Sequence, residues 1–411
     1  MCTWMVVETI DYFVRKKSEI FACTMDMSKA FDRVKHSTLF QKLLDNDLPT
    51  VIIRFLMRSY KLQSTQVKWN GTLSKTFPIS NGVKQGAVLS AILYCVYTND
   101  LFDILKKNGF GCWIDGEYYG MIGYADDLFL LAPSQTALQN MLQTCEDYAG
   151  KHNLLFSTDE NPNKSKTKCI AFLKSQRPLK KLVLCNKHLP WVNSVKHLGN
   201  VVDNKSGCIT RQDLKVKRAQ YIQTNNVIMQ EFYYAHPKTK LLLNNIYNTH
   251  FTGSVFWDLF SSEAKMIENT WNVSIRKMMN LDRQTHRYMI EPISDIRHIK
   301  FKLLKRYLTF TEKLEKSMKH PVRILFNALK RDCRSTTGSN LRRIMNLVKR
   351  SKVSHIQKKD LECIPFCKTE KDDEWRLIIV KELLSARRNE IKIENFDKCE
   401  MTEMLDHLCT T

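Results

Sequence analysis

Apolar and polar residues follow two periods along this chain, and each change of period marks an element. Residues 4–17 mix apolar and charged positions with a helical period and end in Arg15, Lys16 and Lys17. Ile20 to Met25 is a mostly apolar run of strand length, with Asp26 at its carboxyl end. Helices are predicted from His36 through Leu44 and, beyond Pro49, from Val51 to Tyr60. Residues 64–77 read as a hairpin, S-T-Q-V-K-W, N-G, T-L-S-K-T-F, with Asn70-Gly71 as a type I′ turn. Leu89, Ile92, Leu93, Val96, Tyr97, Leu101 and Leu105 share one face of a long helix that Gly109 closes. Two short strands about Asp115-Gly116 lead into Ile122 to Ala132, I-G-Y-A-D-D-L-F-L-L-A. Its two apolar arms flank Ala125-Asp126-Asp127, which predicts a hairpin with two carboxylates at its tip. Ser134 then caps a helix whose buried stripe is Leu138, Met141, Leu142, Cys145 and Tyr148, ended by Gly150, and a strand follows near Cys169 to Phe172.

This order predicts an α+β fold in which an antiparallel sheet is backed by helices on one face. Past Val202 the pattern is helical: Leu214 to Phe232, a segment from Pro237, and Ile267 to Leu281. Three regions are expected, 1–203, 204–299 and 300–411. Phe232, Tyr233, Tyr234, Phe251, Phe256 and Trp257 recur in the second, either as core or as platforms for base stacking.

Charge narrows the class of partner. The 64 Lys and Arg exceed the 42 Asp and Glu by 22, which favours a polyanion, nucleic acid ahead of a membrane surface. Asn161 to Val202 holds nine Lys or Arg and no acid, and Ile296 to Val353 holds 17 against three, either a solvated helix face or a nucleic-acid track. Glu8 and Asp11 interrupt any signal-peptide core, and no apolar run approaches the ~18 residues of a membrane helix. The 13 cysteines are odd in number and scattered, as in an intracellular protein with reduced thiols. Cys363 and Cys367 form half a zinc pattern, but His355, His407, Cys399 and Cys409 supply no standard second half.

The candidate chemistry is carboxylate chemistry. Asp126 and Asp127 repel one another unless a cation neutralises them, and a divalent metal such as Mg²⁺ suits oxygen donors. Asp26, at a strand end, is a candidate third carboxylate; it could equally cap the turn that follows. Asp32 reads as a cap or as a partner of Lys29 or Arg33. Two metals on such a cluster clamp the attacking and leaving oxygens of a phosphoryl transfer. Composition and pattern therefore stop at a metal-dependent nucleotidyl transferase or nuclease.

Longer signatures go further. D-M-S-K-A-F-D (26–32), G-V-K-Q-G-A-V-L-S-A-I-L-Y (82–94) and Y-A-D-D-L-F-L-L-A-P-S (124–134) occur in the order of motifs A, B and C of reverse transcriptases. N-K-S-K-T-K-C-I-A-F resembles motif D and S-V-K-H-L-G-N-V-V motif E. The nearest likeness is to the non-LTR, LINE-like retrotransposon polymerases, dense over residues 5–203 and looser through T-H-R-Y-M-I-E-P (285–292), which resembles their thumb. The resemblance implies a right-hand palm with partial fingers over 1–203, a helical thumb over 204–299 and a basic helical region beyond. It implies an RNA-directed DNA polymerase that uses Mg²⁺, an RNA template, a DNA primer or target and dNTPs, in a nuclear or cytoplasmic ribonucleoprotein. Asp26 and Asp126 would ligate both metals, with the Met27 carbonyl as a further ligand, and Asp127 would complete the triad. Phe31 would wall off a ribose 2′-hydroxyl, although plain core packing also accounts for it. Gln85 and Gly86 would contact nucleotide and template, and Lys166, or Lys164 close by, would lie near the triphosphate. Ala91 stands where the family usually has Pro. The chain begins shortly before motif A, without upstream fingers strands or an endonuclease, which leads to the expectation of a fragment or decayed copy; the alternative to a polymerase is thus an inactive nucleic-acid-binding remnant.

Overall fold

The computed structural model describes residues 1–350 except 176, 205–207, 249, 287–289, 291–293, 295 and 297. T-H-R-Y-M-I-E-P falls largely outside the described residues, and Cys363, Cys367 and their candidate zinc partners fall wholly outside them. The chain forms two compact units, 1–207 and 208 onward.

In the first unit α1 (Cys2–Arg15) precedes β1 (Ile20–Asp26), α2 (His36–Asp45) and α3 (Thr50–Lys61). Four two-residue strands follow, β2 (Ser64–Thr65), β3 (Lys68–Trp69), β4 (Thr72–Leu73) and β5 (Phe77–Pro78), then α4 (Ser90–Lys107). Next come β6 (Trp113–Ile114), β7 (Glu117–Tyr118), β8 (Met121–Tyr124), β9 (Asp127–Ala132) and α5 (Gln135–Lys151). The unit ends with β10 (Lys168–Phe172), β11 (Leu182–Leu184), β12 (Lys187–Leu189), β13 (Ser194–His197) and β14 (Asn200–Asp203).

The central sheet has the order β10-β1-β9-β8 with every pair antiparallel. β1 lies between two neighbours and is buried on both faces, which is why its sequence is nearly continuous in apolar residues instead of alternating. Phe21, Cys23 and Met25 join Leu128, Leu130 and Ala132 and the α5 stripe in one core. The opposite face carries Ala22, Leu131 and Phe129, and α1 packs against β1 and β8 with Trp4, Val7 and Ile10 buried. The sheet is therefore covered on its second face as well. The first unit is thus an α+β arrangement built on this antiparallel sheet.

Several boundaries differ from the sequence reading for local reasons. The Ser134 hydroxyl does cap α5, accepting from Ala137 N at 3.1 Å, but the helix runs through Gly150 to Lys151. α4 starts at Ser90, whose hydroxyl donates to the Lys84 carbonyl, and Leu89 and Ile92, expected on its buried face, are exposed. The 64–77 hairpin splits into two short ladders, β2 with β5 and β3 with β4, because the Ser74 hydroxyl replaces a backbone acceptor for Val67 N. Its tip keeps the type I′ form, with Asn70 and Gly71 at φ 43° and 81°.

Described elements of the second unit are helical: α6 (Arg211–Glu231), α7 (Pro237–Tyr247), α8 (Ser262–Met278), α9 (Ile299–Glu315), α10 (His320–Arg331) and α11 (Thr336–Arg350). The aromatic residues divide between the two readings. Phe251, Phe256 and Trp257 are core, with the indole N–H of Trp257 donating to Asp213 at 2.8 Å, whereas Phe232, Tyr233 and Tyr234 are exposed. Among the described residues no helix is long and apolar enough to cross a membrane.

Candidate active site

Asp26 is the last residue of β1 and Asp127 the first of β9, and the two are direct partners in the ladder. The Asp26 carbonyl accepts from Ser157 N at 2.9 Å and its N–H donates to the Thr167 hydroxyl at 3.4 Å. Its peptide groups thus face away from β9, which makes Asp26–Asp127 a non-hydrogen-bonded, closely spaced pair. In such a pair the side chains share a face, with Cβ atoms about 4.5–5.5 Å apart. β8 and β9 pair through Tyr124 and Asp127, leaving Ala125-Asp126 as a two-residue turn. Only Asp126 is at the hairpin tip; Asp127 belongs to the ladder. Ala125 takes φ 53°, a left-handed conformation that costs a residue with a Cβ about 1–2 kcal/mol.

Asp127 feels both of the other carboxylates. Burial, then the charges of Asp126 and Asp26, raise the Asp127 carboxyl above the usual carboxylate range, and Lys166 partly opposes this. Lys166 Nζ lies 3.4 Å from Asp26 Oδ2, on an otherwise exposed side chain. A compact turn delivers it: Asn161 N binds the Asp159 carboxylate, Asn163 N binds the Asn161 side chain, and the Ser165 hydroxyl donates to Thr167 O. Lys164 is exposed on the same turn. Among the described residues no three acidic, His or Cys side chains form a ready-made metal cage. The available donors at Asp26, Asp126 and Asp127 are all carboxylate oxygens, which suits a hard cation.

Met27 forms an isolated bridge to Phe156 through bonds made by its neighbours, Ser28 N to Leu155 O and Ser157 N to Asp26 O. Its own carbonyl therefore points away from that strand, toward the β9 side. The Met27 side chain is buried and accepts from the Tyr94 hydroxyl at 2.7 Å. Phe31, partly buried, stacks on Tyr94 with centroids 5.0 Å apart. Burial, with the Asp126 charge behind it, pushes the Tyr94 hydroxyl up. Tyr94 thus underlies Met27 and Phe31 and feels Asp126, a role its sequence position on an apolar helix face did not disclose.

Gln85 donates from Nε2 to Asp32 Oδ1 at 2.9 Å. Asp32 is accordingly the anchor of the 81–86 loop and not primarily a partner of Lys29 or Arg33. Gly82 N and Val83 N donate to Val34 O and Phe31 O, each at 2.8 Å. A Cβ on Gly82, at φ 90°, would stand 3.1 Å from the Asp32 backbone, so only glycine lets the loop approach so closely. Gly86, at φ 79°, faces open space.

The sequence pattern of the family described as reverse transcriptase (RNA-dependent DNA polymerase) matches residues 4–202. The chain is 27% identical over 140 residues to the retrovirus-related Pol polyprotein of the retrotransposable element R2DM of Drosophila melanogaster, covering 34% of this chain and 13% of that protein. It is 30% identical over 128 residues to the R2 Pol polyprotein of Nasonia vitripennis, covering 31% and 12%. It is 26% identical over 196 residues to the RNA-directed DNA polymerase from the mobile element jockey of Drosophila funebris, covering 46% and 20%. The chain therefore spans no more than 20% of the length of these relatives. Among solved structures, apo telomerase from Candida tropicalis truncated from its C-terminal domain aligns at 14% identity and TM-score 0.36, over 51% of this chain and 38% of that one. Reverse transcriptases generally use divalent metal ions. Residues 4–202 belong to the reverse transcriptase (RNA-dependent DNA polymerase) family, of the kind carried by non-LTR retrotransposons.

Proposed function

We propose that this chain performs metal-dependent, RNA-directed DNA synthesis, adding dNTPs to a primer 3′-hydroxyl. The observation that carries the reading is the Asp26–Asp127 cross-strand pair with Asp126 in the adjoining turn. Asp26, Asp126 and the Met27 carbonyl would hold the metal ions, which when bound supply neutralisation of charge on the attacking and leaving oxygens. Asp127 sets the local negative potential. Lys166, beside Asp26, would meet the triphosphate and give a proton to the departing pyrophosphate. Phe31, backed by Tyr94, would stand against a ribose 2′-hydroxyl, and Gln85 with Gly86 would meet the incoming nucleotide and template. The RNA template and DNA primer would be drawn by a chain of net charge +22.

The reading is tested by single-nucleotide addition on a 5′-labelled DNA primer annealed to an RNA template. The expected result is addition of the dNTP complementary to the first template base, with the matching rNTP disfavoured. Binding of the duplex by folded protein without any addition would replace the polymerase by a nucleic-acid-binding protein.

A further inference from the structure

The loop that carries Gln85 and Gly86 is held to residues 31–34 at Gly82, Val83 and Gln85 but is otherwise bare. Residues 84–89 are exposed, and the loop is buried only at Gly82, Val83 and Ser90. Two side chains reach it from outside the three sequence signatures. His36, in the first turn of α2, places Nε2 2.7 Å from the Gly82 carbonyl, a hydrogen bond donated by the Nε2–H tautomer. Tyr60, in the last turn of α3, is buried and its hydroxyl faces the Ser90 side chain and the Lys84 backbone, the Ser90 hydroxyl itself donating to the Lys84 carbonyl. The two rings meet edge to face with centroids 5.0 Å apart, and Phe40 packs against both at 6.2 and 6.1 Å. His36 thus holds the Gly82 end of the loop, and Tyr60, packed on His36, stands against the Ser90 end.

We infer that His36 and Tyr60 act together as positioning residues that fix the 82–90 loop, and with it Gln85 and Gly86, for the incoming nucleotide. The inference rests on the polymerase reading. Neither side chain touches the reacting atoms; both act through the backbone they hold. One lost neutral hydrogen bond is worth about 0.5–1.5 kcal/mol, so its removal should weaken nucleotide binding by up to about tenfold.

The test compares wild type, His36→Leu, His36→Gln (which keeps a side-chain N–H donor) and Tyr60→Phe in steady-state primer extension, and follows amide exchange over residues 82–90. The expected result is a KM for dNTP raised by up to about tenfold in His36→Leu and Tyr60→Phe with kcat little changed, recovery in His36→Gln, and faster exchange confined to the loop. A double variant no worse than either single one is also expected, because the pair works as a unit. Unchanged KM together with unchanged exchange in His36→Leu would overturn the inference, as would a fall in kcat at constant KM. If wild type extends no primer, the polymerase reading falls, while the exchange comparison still decides whether His36 and Tyr60 pin the loop.

Discussion

Asp127 shows how one residue can carry a local electrostatic cost. Its carboxyl is raised by burial and by two neighbouring negative charges, so the folded chain holds its charged form at a cost. A raised folded-state value contributes stability at low pH and loses it as pH rises through that value. Asp127→Asn should therefore raise the melting temperature of the metal-free protein at pH 7 and lose this advantage in acid; a variant no more stable than wild type at pH 7 would contradict the assignment. His197 behaves in the opposite sense. Its ring packs edge-on against Phe129 at 5.3 Å, its Nδ1 is 3.1 Å from the Thr3 hydroxyl, and burial pushes it down to about 4. An unfolded histidine titrates near 6.5, so stability is intact above that pH and is lost as pH falls from 6.5 toward 4. About 2–3 kcal/mol should disappear over that window, and His197→Gln should flatten that part of the profile in urea melts. An unchanged slope in the variant would show that other groups govern acid unfolding. Adjacent carboxylates and their apolar flanks were legible in the sequence. The partners of Asp32 and Tyr94 were not, because those contacts join residues distant along the chain.

At the scale of elements, patterns with a local cause were readable. The Asn70-Gly71 turn and the Ser134 cap both depend on a few neighbouring residues, and both are found. The β1–β9 register was not readable, since apolar runs buried on both faces carry no alternation to fix it. Nor was the tie between α2, α4 and α5, where Lys42 Nζ binds Asp100 at 2.5 Å and the Tyr148 hydroxyl at 2.9 Å. Lys42→Met should cost about 1–2 kcal/mol in a denaturant titration, the half-exposed Asp100 limiting the loss. Gly82→Ala should cost more, about 1–3 kcal/mol, through its left-handed backbone and the approach to Asp32. Equal stability of the Gly82 variant and wild type would mean that the loop is free to move off residues 31–34.

At the scale of the whole molecule, one acid-free stretch also presents bare apolar side chains. Residues 48–99 contain six Lys or Arg and no acid, and within them Phe55, Trp69 and Val88 are largely exposed. Trp69 beside the hairpin turn, 77% exposed next to Lys68, suits stacking on an unpaired base. Trp69→Ala should weaken binding of primer–template about tenfold at fixed salt, and binding by both proteins should fall steeply as salt rises. Undiminished affinity in the variant would move the contact elsewhere. The overall excess of positive charge pointed to a polyanion from the start, but only the folded chain shows which part of it lies bare.

The most direct test of the acidic junction as a nucleotidyl-transfer centre is primer extension on an RNA template with dNTPs and Mg²⁺, comparing wild type with Asp126→Asn. The account predicts extension that EDTA abolishes and that falls at least about 100-fold in the variant, the effect of losing roughly 3 kcal/mol at the transition state. Equal extension by the two proteins, or extension without a divalent metal, would contradict it.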